Sequence, residues 1–407
     1  MSAWFALVES NTSGTGRLLA RAVRAAGYRP VLLAADPGRY PYAAADEIDC
    51  VHVDTLDCAA VLATCKDLAD GPGMAGVLSS SEYFIETAAL IARELNLPGP
   101  APEAIQACRD KGVQRRVLAA AGIGIPGFRE VTSAAAASAA AAELGFPVVV
   151  KPVSGSGNVG VRVCAAPSEV TAQAGFLLAR TQNERGMPLP GRLLVEGYVP
   201  GPEFSVEVMF SECVGVTRKH LGPPPFPVET GHDYPAALRR EEREQLQSSA
   251  LAAVRALGLS WGAAHIEVRL GARGPSIIEV NPRLAGGFIP ELVRLADGVD
   301  LMAELVAAAA GAWPARNPRS RRNASIRFLL ASGEGRLIET GGVLHARDVP
   351  GVVEAAFYLE PGAVLTRHGD FRDRIGHVIA CAADPPSAAA AAETGLAHLT
   401  VTVGSQG

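Results

Sequence analysis

Apolar and polar positions follow two different periods over the first hundred residues. Short apolar runs such as WFALV and RPVLLA predict strands, and the intervening GRLLARAVRAAG has the apolar spacing of a helix that ends at Gly27. GVLSSS followed by ETAALIARELN repeats the order of strand and helix. Alternation of this kind predicts βαβ units and a parallel sheet. The connecting SNTSGTG has an incomplete glycine pattern, so it favours a tight turn over a dinucleotide site.

The pattern changes after PGPAPE at 98–103, which predicts a domain junction. Helix spacing continues from 104 to Gly122, and TSAAAASAAAAELG predicts a helix with Thr132 or Ser133 as its N-cap and Gly145 as its stop. From 146 to 283 the pattern is mostly that of strands, with EEREQLQSSALAAVRALGL as the clearest helix. NPRSRRN at 317–323 predicts an exposed connection to a smaller terminal unit of short strands and a final helix.

Composition narrows the class of protein. The chain has 407 residues, 48% of them hydrophobic and 19% charged, with a net charge of −5, which indicates two or three packed soluble units. There is no basic excess to bind nucleic acid, no apolar run of the ~20 residues that span a membrane, and a poor match to a signal peptide. Seven scattered cysteines without a CxxC pair indicate free thiols in a reducing cytoplasm.

The first candidate chemistry is a lysine beside a glycine-rich loop, in FPVVVKPVSGSGNVGVRV. Small residues let backbone N–H groups close on an anion, so the loop indicates phosphate binding. In a Walker A loop the lysine follows the glycines and opens a helix. Here Lys151 precedes them and a strand pattern follows, so a different phosphate-binding architecture is indicated.

The second candidate for chemistry is a pair of predicted strands, AHIEVRL and SIIEVNPR, joined by the turn GARGP. Glu267 and Glu279 fall on neighbouring strands, and Asn281 shares a face with Glu279. Three oxygen-bearing side chains on one face predict a Mg²⁺ site that shares the ion with substrate phosphates. Arg283 is expected on the same side if the extended run persists, where it would stabilise a transferring phosphoryl group. Gly286 and Gly287, before a helical stretch, offer backbone donors to a carboxylate or acyl phosphate.

Lys111, Lys151-Pro152, the loop 154–160, VEGYVPGPE and IEVNPR, in this order, resemble the ATP-grasp superfamily, and within it the carboxylate–amine ligases that include L-amino acid ligases. The resemblance implies a mixed α/β and α+β protein of three domains. These are a Rossmann-like N-terminal domain with a parallel sheet (1–98), a two-lobed ATP-grasp domain (99–313) and a small α+β C-terminal domain (314–407). Within the ATP-grasp domain, a small lobe would span about 111–195 and a large lobe about 196–313.

The resemblance also implies roles for individual residues. Lys111 and Lys151 would hold the nucleotide phosphates beneath a lid, the loop Ser154 to Gly160. The residues expected to bind the nucleotide are Lys111, Lys151, Ser154, Ser156, Gly157, Glu196, Gly197, Val199 and Glu203. Of these, Glu196 with the backbone of Gly197 and Val199 would form the adenine hinge, and Glu203 would accept the ribose hydroxyls. Glu267, Glu279 and Asn281 would bind Mg²⁺, with Mn²⁺ as an alternative, and Arg283 would steady the transferred phosphate.

Residues 217–238 resemble the substrate loop of these ligases, which carries a Glu-x-x-His that maps to Glu229 and His232. Lys219 would lie upstream, near the phosphates. Five prolines between 223 and 235 predict a stiff, irregular loop that walls a pocket. Glu82 matches a glutamate after the fourth-strand region of related ligases, and we expect it to face the amino-acid substrate.

The reaction implied is the formation of an amide or peptide bond in the cytoplasm between a small-molecule carboxylate and an amine, through an acyl phosphate, with release of ADP and phosphate. An ATP-grasp carboxylase or another enzyme that uses bicarbonate or formate is the first alternative. A non-catalytic ATP-binding protein is the second, and a nicotinamide oxidoreductase the least favoured. A homodimer is compatible with the resemblance.

Overall fold

The structure is a computed structural model that describes residues 2–12, 14–183, 185–313, 321–331 and 333–404. Its N-terminal part is a parallel sheet with strand order β3-β2-β1-β4, as the alternation of strands and helices predicts. The strands are β1 (Trp4–Val8), β2 (Arg29–Ala34), β3 (Asp49–His52) and β4 (Met74–Leu78). The helices are α1 (Thr15–Ala25), α2 (Pro41–Ala45), α3 (Cys58–Ala69) and α4 (Ile85–Glu94).

The next part of the chain builds an antiparallel sheet of order β5-β8-β6-β7, covered by helices. Its elements are α5 (Pro102–Arg109), α6 (Lys111–Ala120), β5 (Phe128–Val131), α7 (Ala134–Leu144), β6 (Val148–Pro152), β7 (Arg162–Cys164), α8 (Pro167–Leu178) and β8 (Leu193–Gly197). The continuous helix expected over 104–122 is wrong. Asp110 is extended and its carboxylate accepts from Val113 N at 3.0 Å, so it starts a second helix. Ser133 and Gly145 bound α7 as predicted.

A larger antiparallel sheet carries the rest of the protein, with order β13-β12-β9-β10-β11-β14-β18-β16. The elements up to residue 313 are β9 (Glu203–Met209), β10 (Glu212–Leu221), β11 (Glu229–Tyr234), α9 (Arg240–Ala256), β12 (Ala263–Gly271), β13 (Gly274–Asn281), α10 (Ile289–Asp297) and α11 (Leu301–Ala309). Buried apolar residues of β9, β10, β12 and β13 pack with those of α9 in one hydrophobic core.

The C-terminal part adds β14, β18 and β16 to this sheet and forms a second sheet of order β17-β15-β19. Its elements are β14 (Asn323–Leu330), β15 (Gly335–Gly341), α12 (Val343–Asp348), β16 (Val352–Phe357), β17 (Val364–Leu365), β18 (Arg374–Ala382), α13 (Pro385–His398) and β19 (Thr400–Gly404). The last element is therefore a strand that follows the expected helix. The predicted boundary at 313/314 adjoins residues outside the described ranges, as do residues 317–320 of the expected connection.

The small antiparallel sheet is joined to the N-terminal part through the segment between α8 and β8. Arg185 of this segment donates to the carbonyl of Ser10 at 2.9 Å and to the Tyr40 hydroxyl at 3.1 Å, and lies 3.6 Å from Glu9. The seven cysteines lie within the described ranges and are not joined in disulfides. Within the described ranges, no helix combines the length and apolar character that crossing a membrane requires.

Candidate active site

Charged side chains line up across one face of the large sheet. Glu267 lies directly opposite Glu279 on the neighbouring strand, and Lys219 lies between Glu203 on one side and His232 on the other. Since successive side chains point to opposite faces of a strand, the residues between them point to the other face. That other face carries the apolar residues Phe204, Val206, Val216, Ile266 and Val280, all buried. The sheet therefore has one apolar face and one face of buried ionisable groups.

The Lys219 ammonium lies at the centre of the charged face. Its Nζ is 2.6 Å from Glu267 and 2.9 Å from both Glu203 and Glu229, and the side chain is 1% exposed. Burial disfavours the charged lysine, but the three carboxylates outweigh it and raise its pKa well above the ordinary value. Lys219 is therefore a permanent cation held among three carboxylates.

Three further cations surround these carboxylates. Arg269 donates to Glu203 at 2.9 Å, and Arg374 of the C-terminal part donates to the Glu229 carboxylate. His265 lies 2.9 Å from Glu207 and 3.4 Å from Glu267. Burial lowers the pKa of His265, but Glu207 and Glu267 raise it more, to about 9.

A second buried cluster joins Lys151 to Glu196 and Arg115. Glu196 accepts from Arg115 at 2.7 Å and lies 2.8 Å from Lys151 Nζ, and all three side chains are at most 5% exposed. Burial lowers the pKa of Lys151, and the nearby Arg115 lowers it further. Two cations share one carboxylate here, so the cluster holds an excess positive charge that suits an anion.

A cavity of about 70 Å³ lies between the small and the large sheet. The predicted site residues that line it are Lys151, Glu196, Gly197, Val199, Glu203, Glu267 and Glu279. The Glu196 carboxylate is engaged by Arg115 and Lys151, and the Val199 carbonyl accepts from Arg269 at 2.9 Å. Glu196 would therefore contact an adenine base through the Glu196 backbone and not through its carboxylate. The structure thus brings together the residues expected for the adenine hinge and the ribose and two of the three expected for the metal, Glu267 and Glu279.

The glycine loop contacts Lys111, one of the two phosphate-site candidates, and Arg283. Lys111 donates to the Gly155 carbonyl at 2.8 Å and lies 3.4 Å from Glu279. Ser156 accepts from Arg283 at 3.2 Å. Gly157, with a φ of +66°, packs against the ring of Phe371, where a Cβ would come within 2.4 Å. Ser154 instead lines a separate cavity beside Tyr83.

Arg283 reaches its position by a route that the sequence did not predict. The extended run does not persist, because β13 ends at Asn281 and the Arg283 N–H turns back to the Asn281 carbonyl at 2.9 Å. Its guanidinium donates to Glu82 at 2.5 Å, so a glutamate of the N-terminal part meets an arginine 201 residues away. Asn281 itself is buried, opposite His265.

His232 is buried on strand β11, so the irregular loop expected from the prolines is wrong for residues 229–234. Strands β10 and β14 pair with β11 on its two sides, which leaves 222–228 as the irregular part. Neither ring nitrogen of His232 has a hydrogen-bond partner among the described residues, and Nε2 is 3.5 Å from Glu229. Burial lowers its pKa, so the ring is neutral near pH 7.

Gly287 lies against the Nε2 atom of His232, where a Cβ would come within 2.6 Å. Gly286 precedes it and accepts from Ile289 N at 3.2 Å.

Sequence reasoning missed Arg115, Arg269 and Arg374, which hold the site carboxylates. Arg269 could have been found, because it falls on the same face of its strand as Glu267. Arg115 sits in an ordinary amphipathic helix pattern, and Arg374 is 145 residues from its partner Glu229, so neither gives a local signal.

Comparisons with known proteins match this arrangement. Residues 144–291 match the ATP-grasp domain family, and residues 327–404 match the L-amino acid ligase C-terminal domain 2. The chain is 41% identical over 378 residues to the uncharacterized protein y4rH of Sinorhizobium fredii, covering 93% of this chain and 78% of that protein. It is 29% identical over 287 residues to carnosine synthase 1 of Gallus gallus, covering 66% of this chain and 31% of that protein.

Among solved structures, the fold is similar to the L-amino acid ligase from Bacillus licheniformis. The TM-score is 0.81 at 21% identity, over 99% of both chains. The chain spans about a third of the length of carnosine synthase, but nearly all of this bacterial ligase. The protein therefore belongs to the ATP-grasp superfamily and carries the C-terminal domain 2 found in L-amino acid ligases.

Proposed function

We propose that the protein is an ADP-forming ligase that joins the carboxylate of an amino acid to an amine, which can be that of a second amino acid. The observation that carries this proposal is that two charged places meet at the glycine loop. Asn158 of the loop lines the cavity together with Lys151, Glu203 and Glu279, and Ser156 of the loop accepts from Arg283, which pairs with Glu82. A site suited to a nucleotide and a site suited to a charged small molecule would thus adjoin the same loop.

MgATP would bind with its base at the segment 196–199 and its phosphates between Lys111 and Lys151. The excess positive charge of the Lys151–Glu196–Arg115 cluster favours a phosphate, because an anion there relieves the repulsion of two buried cations. Glu203 would turn from Lys219 to the ribose hydroxyls, and the glycine loop would supply backbone N–H groups.

The donor set on strands β12 and β13 fits Mg²⁺. Glu267 and Glu279 are directly opposed across the two strands, and Asn281 lies beyond Glu279 on the same face. Each carboxylate already has a cation beside it, since the Lys219 ammonium lies 2.6 Å from Glu267 and the Lys111 ammonium 3.4 Å from Glu279. Glu267, Glu279 and Asn281 would hold the ion, which supplies charge neutralisation at the phosphates.

In the first step a carboxylate oxygen of the amino acid attacks the γ-phosphorus of ATP, the bond to the β-phosphate oxygen breaks, and an acyl phosphate and ADP result. The protein contributes position and charge, which phosphoryl transfer requires. Arg283 is held by Glu82 and Ser156, so its guanidinium is fixed where the glycine loop meets the N-terminal domain. Lys219 and Arg283 would offset the charge that develops on the transferring group.

In the second step the amine attacks the acyl carbon, inorganic phosphate leaves, and the amine gives up a proton. His232 is neutral, buried and beside Gly287, so Nε2 is a suitable acceptor for that proton. Burial disfavours the charged form of Glu229, but Lys219 and Arg374 hold its pKa well below the ordinary range. As a permanent carboxylate it would attract the ammonium form of the incoming amine. The Gly286 and Gly287 amides would stabilise the tetrahedral oxyanion.

The test measures phosphate release from MgATP with a panel of amino acids, singly and in pairs, with mass spectrometry of the products. We expect release that requires two substrates and a new amide with their summed mass less water. Lys151→Met serves as the inactive control. Release that depends on bicarbonate or formate would overturn the ligase proposal in favour of the carboxylase alternative, and ATP binding without turnover on the full panel would favour a non-catalytic protein.

A further inference from the structure

The C-terminal domain places one arginine inside the charged face of the large sheet. Arg374 begins β18, and its side chain is 11% exposed. Its Nε donates to the Glu229 carbonyl at 3.2 Å, its terminal nitrogen donates to the Glu229 carboxylate, and its guanidinium lies 4.1 Å from the centre of the Phe328 ring. Two hydrogen bonds and a ring contact hold the guanidinium in one orientation.

The turn that carries Arg374 is rigid and touches the lid. The Asp373 carboxylate accepts from the backbone N–H groups of His368 and Gly369, at 2.7 and 2.8 Å. Phe371 packs on Gly157 of the glycine loop, and its N–H donates to the Gly157 carbonyl at 3.4 Å. Arg374 is thus held in place by its own turn and by its contacts with Glu229 and Phe328.

The charges around Lys219 balance only when Arg374 is counted. Glu203, Glu229 and Glu267 supply three negative charges, and Lys219, Arg269 and Arg374 supply three positive ones. His265 and Glu207 form a further pair at the edge of the cluster. Without Arg374, Glu229 would depend on Lys219 as its remaining strong cation among the described residues.

We propose that Arg374 is a positioning residue that acts through Glu229: it holds this carboxylate so that the Lys219 ammonium is free to leave it for the nucleotide phosphates. The proposal rests on the nucleotide site of the proposed function but does not depend on the identity of the amino acids. The Lys219 ammonium is a point charge on a flexible aliphatic stem, whereas the Arg374 guanidinium is fixed by two hydrogen bonds and a ring contact, so Lys219 is the cation that can turn to the substrate.

The experiment compares Arg374→Gln, Arg374→Lys and Arg372→Gln, alone and in the background of Glu229→Gln. Arg372 is the matched control, because it lies on the same turn and pairs with Asp370 at 2.5 Å. The first measurement is the Kd for MgATP by equilibrium titration, which needs no amino-acid substrate. The second is kcat and KM for ATP in the ligation assay. Circular dichroism and the midpoint of thermal unfolding check that each variant folds.

We expect Arg374→Gln to weaken MgATP binding at least tenfold, Arg374→Lys to restore most of the loss, and Arg372→Gln to change the Kd less than threefold. In the Glu229→Gln background, Arg374→Gln should change the Kd less than twofold, because the carboxylate through which Arg374 acts on Lys219 is absent. The proposal would be overturned if Arg374→Gln weakened MgATP binding as much in the Glu229→Gln background as in the wild type. It would also be overturned if Arg372→Gln weakened MgATP binding as much as Arg374→Gln does. If Arg374→Gln does not fold, Arg374→Met, which also removes the charge but keeps most of the aliphatic stem, takes its place in both backgrounds.

The two proposals fail in different ways. A wild-type protein that binds MgATP but joins no amino acids would remove the proposed function and leave the Arg374 comparison intact through the Kd. A wild-type protein that ligates amino acids, with an Arg374 effect independent of Glu229, would remove only the inference on Arg374.

Discussion

Lys151→Met should weaken nucleotide binding and leave the free energy of unfolding nearly unchanged. Lys151 shares Glu196 with Arg115, so the buried cluster carries two positive charges and one negative charge. Burial and the second cation lower the pKa of Lys151, which means that the folded protein disfavours its charge. Methionine keeps most of the aliphatic stem, removes the charge and leaves a neutral Arg115–Glu196 pair.

The magnitudes follow from these contacts. Because the remaining pair is intact, Lys151→Met should change the free energy of unfolding by no more than about 1 kcal/mol. Glu196→Gln leaves two buried cations without a carboxylate and should cost about 3–5 kcal/mol. A charge-assisted hydrogen bond to phosphate contributes about 1.5–3 kcal/mol, so Lys151→Met should weaken MgATP binding about ten- to hundredfold.

The assay combines urea unfolding without nucleotide and titration with MgATP, both on the full chain. Lys66→Met, at an exposed lysine of α3, is the matched control and should alter neither quantity. A loss of more than about 3 kcal/mol for Lys151→Met with unchanged MgATP affinity would refute the reasoning, because Lys151 would then be a structural ion-pair partner.

Three further changes test other parts of the structure. Gly287→Ala should lower the free energy of unfolding by about 1–3 kcal/mol, because φ is +59° and the new Cβ meets the His232 ring; an equal loss for Gly286→Ala, where a Cβ meets nothing within 4 Å, would contradict this. Arg185→Met should speed proteolysis between α8 and β8, since the contacts with Glu9, Ser10 and Tyr40 are lost, and an unchanged cleavage rate would count against that role. Burial raises the pKa of Asp233, but His220 and Arg327 lower it far more, so its stabilisation is present above about pH 4 and is lost as the pH falls further. In Asp233→Asn, the free energy of unfolding should therefore fall less steeply from pH 5 to pH 2 than in the wild type. An equally steep fall, measured by urea unfolding over this range, would refute this.

The sequence alone determined the elements whose chemistry is local. The alternation in AHIEVRL and SIIEVNPR predicted that Glu267 and Glu279 share a face, and the structure pairs them directly. Periodicity places both glutamates on one face, but the direct pairing depends on a register shift between Glu267 and Val268, since the register at the turn would place Ile278 opposite Glu267. The scarcity of lysine is a further signal of the site. The chain has four lysines among its 37 basic residues, and three of the four are the site candidates Lys111, Lys151 and Lys219.

Only the tertiary structure decided which charges meet. The Arg283–Glu82 pair joins residues 201 positions apart, and the Arg374–Glu229 pair joins residues 145 positions apart. An ion pair depends on the docking of whole domains and on the exclusion of water, and neither leaves a period in the sequence. The same holds for the break at Asp110, where a side-chain cap overrides a continuous helix pattern. Local patterns thus fixed the strands and the donor atoms, whereas domain packing decided which of the buried charges are held by a partner and which are left to bind substrate.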